Sequence, residues 1–196
     1  STNLYASYGV GFRSGGFNAL GTEDTLNFWF NSGYGGPGEA VDAKLLIKDD
    51  YDKEVSTSIE VGLKSEFMDR RLRVNASVFR TDVEDNQFFE FFAGPFGLLR
   101  TVTTIDELTI QGFEADFNFA ATENLSIYGG IGLLDSEIKE NKNRPLSEGN
   151  NVPQAPETTG TLGAQLVIPM GGIDFVSRID SQYVGETFFH PFQGEQ

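Results

Sequence analysis

From Glu54 to Phe67 the chain alternates. Glu54, Ser56, Ser58, Glu60, Gly62, Lys64 and Glu66 are polar or small, and Val55, Thr57, Ile59, Val61, Leu63 and Phe67 between them are mostly apolar. A period of two puts successive side chains on opposite faces of a β-strand. Strands of soluble domains are usually about five or six residues long, whereas a tilted strand crossing a bilayer needs about nine to eleven. A run of this length therefore predicts a transmembrane β-strand with one face in lipid and one on a wet lumen.

Six further stretches repeat the pattern. Residues 3–13 set Leu4, Ala6, Tyr8, Val10 and Phe12 against Ser7, Gly9, Gly11 and Arg13. Residues 71–82 set Leu72, Val74, Ala76 and Val78 against Arg73, Asn75 and Ser77. Residues 108–119 set Phe113, Ala115, Phe117 and Phe119 against Glu114, Asp116 and Asn118. Residues 124–134 carry Leu125, Ile127, Ile131 and Leu133, and residues 158–168 carry Leu162, Ala164, Leu166 and Ile168. Residues 173–184 set Ile173, Phe175, Ile179 and Tyr183 against Asp174, Arg178, Asp180 and Gln182.

Connections alternate as well. Those at 68–70, 120–123 and 169–172 are short; those at 14–53, 83–107 and 135–157 are long. Short turns at one end and long loops at the other predict an antiparallel meander of membrane hairpins, since compact domains rarely hold long structureless connections. Matching the faces across each short turn predicts three registers: Phe67 opposite Leu72 with Glu66 opposite Arg73, Phe119 opposite Leu125, and Ile168 opposite Ile173. The first implies a Glu66–Arg73 pair on the lumen side.

Composition narrows the class. Among 196 residues there are 23 Gly, 18 Phe and no Cys, so no disulfide framework or cysteine-based zinc site is expected. No apolar run approaches a transmembrane helix. The mean hydropathy of −0.25 is compatible with a barrel, whose lumen residues cancel its lipid-facing ones. The formal net charge of −15 argues against nucleic acid, and acids outnumber bases in the long connections. The opening STNLYASYG has no signal-peptide character, and the closing FFHPFQGEQ stops without a closing strand. Both ends read as cut from something larger.

Several runs resemble one family in order. Leu4–Asn18 (LYASYGVGFRSGGFN), Glu54–Phe91 with its Tyr51-x-x-Glu54 lead-in, and Thr109–Ile138 resemble successive barrel segments of TonB-dependent outer-membrane receptors, as do NVPQAPETTGTLGAQL and SRIDSQYVGETFF. The resemblance implies an all-β fold: about seven long strands of a 22-stranded antiparallel transmembrane barrel, near strands 13 to 19. It implies that residues 1–196 are part of the barrel domain, without the N-terminal plug, the TonB box or the C-terminal strands. It further implies a location in the outer membrane of a Gram-negative bacterium, among lipid and lipopolysaccharide, and uptake of a scarce nutrient, foremost a ferric siderophore. Energy would come from the TonB complex through the missing N-terminal region. A passive porin or adhesin barrel and a soluble carbohydrate-binding β-sandwich are the competing readings.

Candidate sites each carry two readings. Phe88, Phe89, Phe91 and Phe92, in FFEFFAGPF of the second long connection, would grip a bulky ligand, or else pack against neighbouring loops or form an interfacial aromatic belt. Arg13 and Arg100, with Arg73 and Arg178, would contact an anionic ferric siderophore through the planar guanidinium, or else be balanced by nearby acids. Asp49, Asp50 and Asp52 offer oxygen ligands to calcium, but not at EF-hand spacing. His190, the sole histidine, has no GxSxG motif beside it, so no catalytic triad is expected; a haem-ligand role would rest on this one residue. Gly11–Gly16 (GFRSGG) lacks the lysine and helix of a phosphate loop. No catalytic residue, resident metal or cofactor is expected.

Overall fold

The computed structural model describes residues 1–31 and 45–191. Residues 32–44 of the first long connection, and 192–196 of the end expected to stop without a closing strand, lie outside the described residues. The strands are β1 (Thr2–Arg13), β2 (Gly16–Phe17), β3 (Asp50–Tyr51), β4 (Glu54–Phe67), β5 (Leu72–Gly94), β6 (Gly97–Ala120), β7 (Leu125–Glu140), β8 (Thr158–Pro169) and β9 (Asp174–Val184). One α-helix, α1 (Thr22–Asn31), and a 3-10 turn at Pro145–Ser147 complete the described elements.

Seven strands form one antiparallel sheet in the order β1-β4-β5-β6-β7-β8-β9, and β2 pairs with β3 as a small separate ribbon. The seven predicted strands are thus present as a meander. A β-sandwich needs two packed sheets sharing a buried face. Here Leu4, Ile59, Val61, Val78, Phe113, Ile131, Leu162 and Ile179 are exposed along one face of a single sheet. An exposed apolar face of that extent calls for hydrocarbon against it. The opposite face carries the polar set: Glu60, Lys64, Glu66, Arg73, Asn75, Glu114, Asp116, Arg178 and Asp180.

The β4–β5 register follows the prediction. Phe67 faces Leu72 and Glu66 faces Arg73, and Arg73 Nε lies 3.2 Å from Glu66 Oε1. The other two hairpins are each displaced by two residues. Phe119 faces Ile127 rather than Leu125, because the Thr122 hydroxyl accepts the amides of Asn124 (3.2 Å) and Leu125 (2.9 Å) and so widens the turn. Ile168 faces Phe175 rather than Ile173. There Gly171 and Gly172 both have positive φ and form a two-residue turn closed by the Met170 amide on the Ile173 carbonyl, a geometry glycine adopts without strain. A shift of two keeps every side chain on its face, so the apolar–polar division is unchanged.

Glycine and aromatic residues pair directly across strands. Tyr5 faces Gly62, Phe79 faces Gly112, Phe117 faces Gly129 and Tyr128 faces Gly163. Each ring lies over the space a Cβ would fill. On the lumen side the two tyrosines present polar tips to carboxylates: Tyr5 donates to Glu60, and Tyr128 donates to Asp180 at 2.6 Å. Asp180 also accepts from Arg178. At Gly112 the obstacle includes fixed backbone, since a Cβ there would meet the Leu133 carbonyl oxygen at 2.5 Å as well as the Phe79 ring. Gly112→Ala is expected to destabilise the barrel by about 1–3 kcal/mol. Gly160→Ala, where an added Cβ makes only an ordinary 3.8 Å contact, should change it by less than about 0.5 kcal/mol. Urea unfolding of the complete barrel in lipid vesicles checks both.

Candidate functional site

The long connections are more ordered than the sequence suggests, and their order comes from β5 and β6. β5 pairs with β4 only as far as Glu84, and β6 pairs with β7 only from Glu107. Beyond those points the two strands continue as a hairpin, closed by Gly94 opposite Gly97 with Pro95 and Phe96 at the tip. FFEFFAGPF is therefore mostly strand, not loop. The first long connection likewise holds α1 and the β2–β3 ribbon.

Side-chain alternation inverts at the base of this hairpin. Val83 and Phe88 would lie on opposite faces under strict alternation, as would Ile105 and Leu108, yet all four belong to one apolar cluster with Ile138. Asp85, between them, has φ of 54°, the left-handed conformation uncommon for a residue with a side chain. That one backbone rotation turns Phe88, Glu90 and Phe92 inward. Phe92 is buried against Leu26 of α1, Leu45 and Ile47, with the Phe30 ring edge-on at 5.2 Å.

Phe89 and Phe91 point the other way and stay exposed, at 48% and 62%. Arg100 faces Phe91 across the hairpin, and its guanidinium sits 4.0 Å from the Phe89 ring centroid. The structure thus divides the candidate residues. Phe89, Phe91 and Arg100 come together on an exposed face, while Phe88 and Phe92 belong to packing. Arg13 lies apart, 3.6 Å from Glu54 and donating to the Gln87 carbonyl at 3.5 Å. Arg73 and Arg178 are paired with Glu66 and Asp180.

Asparagines replace missing strand partners. Asn27 exchanges both hydrogen bonds with the backbone of Ile47, and Asn31 does the same with Leu45. Being four apart, both lie on one side of α1. Asn18 treats Val102 on β6 in the same way. The hydrophobic pattern carries no sign of these clamps; the i, i+4 spacing of Asn27 and Asn31 is their one trace in the sequence.

Asp49 caps the start of α1. Its carboxylate accepts the amides of Gly21 (3.1 Å) and Glu23 (2.9 Å) at the start of α1. No cluster of acids or histidine among the described residues is arranged to hold a metal. The Glu23 and Gly21 amides hold the Asp49 carboxyl below the usual carboxylate range. A carboxyl that ionises more readily in the folded loop stabilises it above the ordinary carboxylate value, about 4, and ceases to as pH falls through the lowered one. Hydrogen exchange of the α1 amides should accordingly speed up below about pH 4, beyond the intrinsic rate change. In Asp49→Ala it should be fast throughout.

Beside the hairpin lies a cavity of about 350 Å³ lined by Asp50, Asp52, Asp85, Asp106, Lys48 and Lys142 among others. Burial, with Asp52, Asp106 and Glu84 nearby, pushes the Asp85 carboxyl up. Lys142 bonds Asp106 at 2.8 Å. On the other side, Arg144 Nε from the β7–β8 connection meets Glu90 Oε1 at 3.3 Å, with both side chains almost fully buried. His190 Nε2 approaches the same oxygen at 3.9 Å. Removing one partner of a buried pair leaves a charge without compensation. Arg144→Ala should therefore cost about 3–5 kcal/mol, read as a lowered unfolding midpoint.

Residues 1–193 match the family described as "TonB dependent receptor-like, beta-barrel". The chain belongs to that family. TonB-dependent receptors are transporters, not enzymes, and their barrels sit in the outer membrane of Gram-negative bacteria. Over 141 residues this TonB-dependent receptor chain is 27% identical to the probable TonB-dependent siderophore receptor PiuA of Acinetobacter baumannii, covering 67% of this chain and 18% of PiuA. The fold matches the ferric yersiniabactin uptake receptor FyuA of Yersinia pestis with a TM-score of 0.66 at 19% identity, over 97% of this chain and 24% of that one. It matches the copper transporter OprC with a TM-score of 0.55 at 21% identity, over 84% and 22% respectively. The chain thus spans less than a quarter of each of these relatives. Family membership and the single exposed apolar sheet together replace the porin, adhesin and sandwich readings.

Proposed function

We propose that this chain is part of the barrel wall of a receptor that imports a ferric siderophore into the periplasm, driven by the TonB complex acting on a region outside this chain. The observation that carries the reading is the match to PiuA, whose name specifies a siderophore. In this reading the barrel has 22 strands and encloses a plug. The short turns face the periplasm, and the β5–β6 hairpin stands on the extracellular side.

Phe89, Phe91 and Arg100 are the ligand contacts in this account. They form an exposed aromatic surface with a stacked guanidinium, suited to a flat group bearing negative charge. Phe88 and Phe92 hold the hairpin in place, and Arg13 steadies its base. OprC supplies a second reading, in which the cargo is copper.

Uptake of radiolabelled iron by cells carrying the complete receptor tests the proposal. Siderophore-dependent uptake should vanish when TonB is deleted. Phe91→Ala and Arg100→Ala should each weaken ligand binding by about two- to tenfold, the scale of exposed aromatic and cation–π contacts, with little effect on stability. Phe92→Ala should instead cost about 3–5 kcal/mol of stability. Uptake that persists without TonB, or restored growth on copper but not on iron, would overturn the reading.

A further inference from the structure

We infer that Asn18 is a positioning residue for ligand binding: it holds the edge of β6 so that Arg100 stays stacked on Phe89. The inference rests on the reading of Phe89, Phe91 and Arg100 as ligand contacts, and it names a residue that serves them from behind.

The ligand-bearing part of the hairpin is two strands wide. β6 pairs with β7 only from Glu107, so residues 97–106 keep β5 on one side and have lost β7 on the other. A two-stranded hairpin alone is marginally stable in water. Phe88 and Phe92 pack its inner face. Phe89 and Phe91 stand on the opposite, exposed face, where their spacing from Arg100 depends on how the two strands are held.

Asn18 meets the open edge at the level of those residues. Val102 lies directly across from Phe89, and Arg100 across from Phe91. Being two apart on one strand, Arg100 and Val102 share a face. The Val102 amide donates to Asn18 Oδ1 at 2.8 Å, and Asn18 Nδ2 donates to the Val102 carbonyl at 3.0 Å. This is the pair of bonds that a neighbouring antiparallel strand would exchange. Asn18 Nδ2 also donates to the Lys48 carbonyl at 2.9 Å, and the Asn18 amide donates to the Asp49 carbonyl at 2.8 Å. Asp49 in turn caps α1, so the clamp fastens β6 to a segment that is itself fixed.

The clamp needs a carboxamide, which offers one acceptor oxygen and two donors in a plane. An aspartate of the same shape donates nothing and sets a negative charge beside the Val102 and Lys48 carbonyls. Without the clamp the strand edge relaxes, and the guanidinium loses its fixed place 4.0 Å from the Phe89 ring centroid. Asn18 belongs to neither apolar cluster, so replacing it leaves the packing of the hairpin intact and the unfolding midpoint of the barrel unchanged.

Two readouts on the complete receptor in detergent test the inference. The first needs no ligand: 4-fluorophenylalanine is placed at position 89, where its fluorine resonance senses the guanidinium over the ring. In Asn18→Ala and in Asn18→Asp the resonance should move toward its position in Arg100→Ala. The second is binding of a ferric tris-catecholate, a probe with flat anionic rings. Asn18→Ala and Asn18→Asp should each weaken it about three- to tenfold, the scale of one net hydrogen bond. In the Arg100→Ala background the same changes should cost less than about twofold, because residues that act through one another are not additive. A resonance that stays in place in Asn18→Ala, a loss of binding equal with and without Arg100, or full binding in Asn18→Asp would overturn the inference. A receptor that takes no ferric siderophore would sink the transport reading, and the fluorine shift would still decide whether Asn18 positions Arg100.

Discussion

A backbone in hydrocarbon has no water to bond, so every amide and carbonyl must find a partner in the protein. A sheet meets that demand between strands, and the period-two alternation of this chain follows from it. Once strands are laid side by side across a bilayer, every second side chain faces lipid and must be apolar. Its neighbours face the lumen and take the charges. The ladder running from β1 to β9 is what the loops, the clamps and the exposed aromatic face all rest upon.

Where the ladder runs out, other groups replace it. Above Glu84 and Glu107 the β5–β6 hairpin loses its neighbours on both sides. The Asn18 side chain then bonds the backbone of Val102 on one edge, and the Glu54 carboxylate accepts the Gln87 amide on the other. The inversion at Asp85 adds a second device. It lets an aromatic run that is apolar on both faces bury Phe92 under α1 while leaving Phe89 and Phe91 free for contact. A single left-handed residue thereby separates the buried aromatics from the exposed ones.

Strand number, order and faces were legible in the sequence because alternation held over a dozen residues matches a long strand with two unlike faces and fits a helix poorly. Register was legible only in part. A slip of two residues leaves both faces intact, so hydrophobic pattern cannot detect it. At β4–β5 the pairing of Glu66 with Arg73 agreed with the turn. At the other two hairpins turn chemistry decided: the Thr122 hydroxyl in one, and the Gly171–Gly172 pair in the other. The candidate site was harder to read. FFEFFAGPF shows no alternation, because its aromatics occupy both faces, so its pattern reads as a loop. The asparagine clamps join residues up to 84 apart in sequence, and nothing local marks their targets.

Depth-resolved quenching tests the wall directly. The chain contributes no cysteine of its own, so single cysteines carrying a fluorophore can be placed one by one from Ile59 to Lys64 in the complete receptor. Spin-labelled lipid should then quench the labels at 59, 61 and 63 strongly and those at 60, 62 and 64 weakly, a strict period of two. Equal quenching at successive positions, or an alternation of opposite phase, would contradict the account of this chain as a membrane-spanning barrel wall.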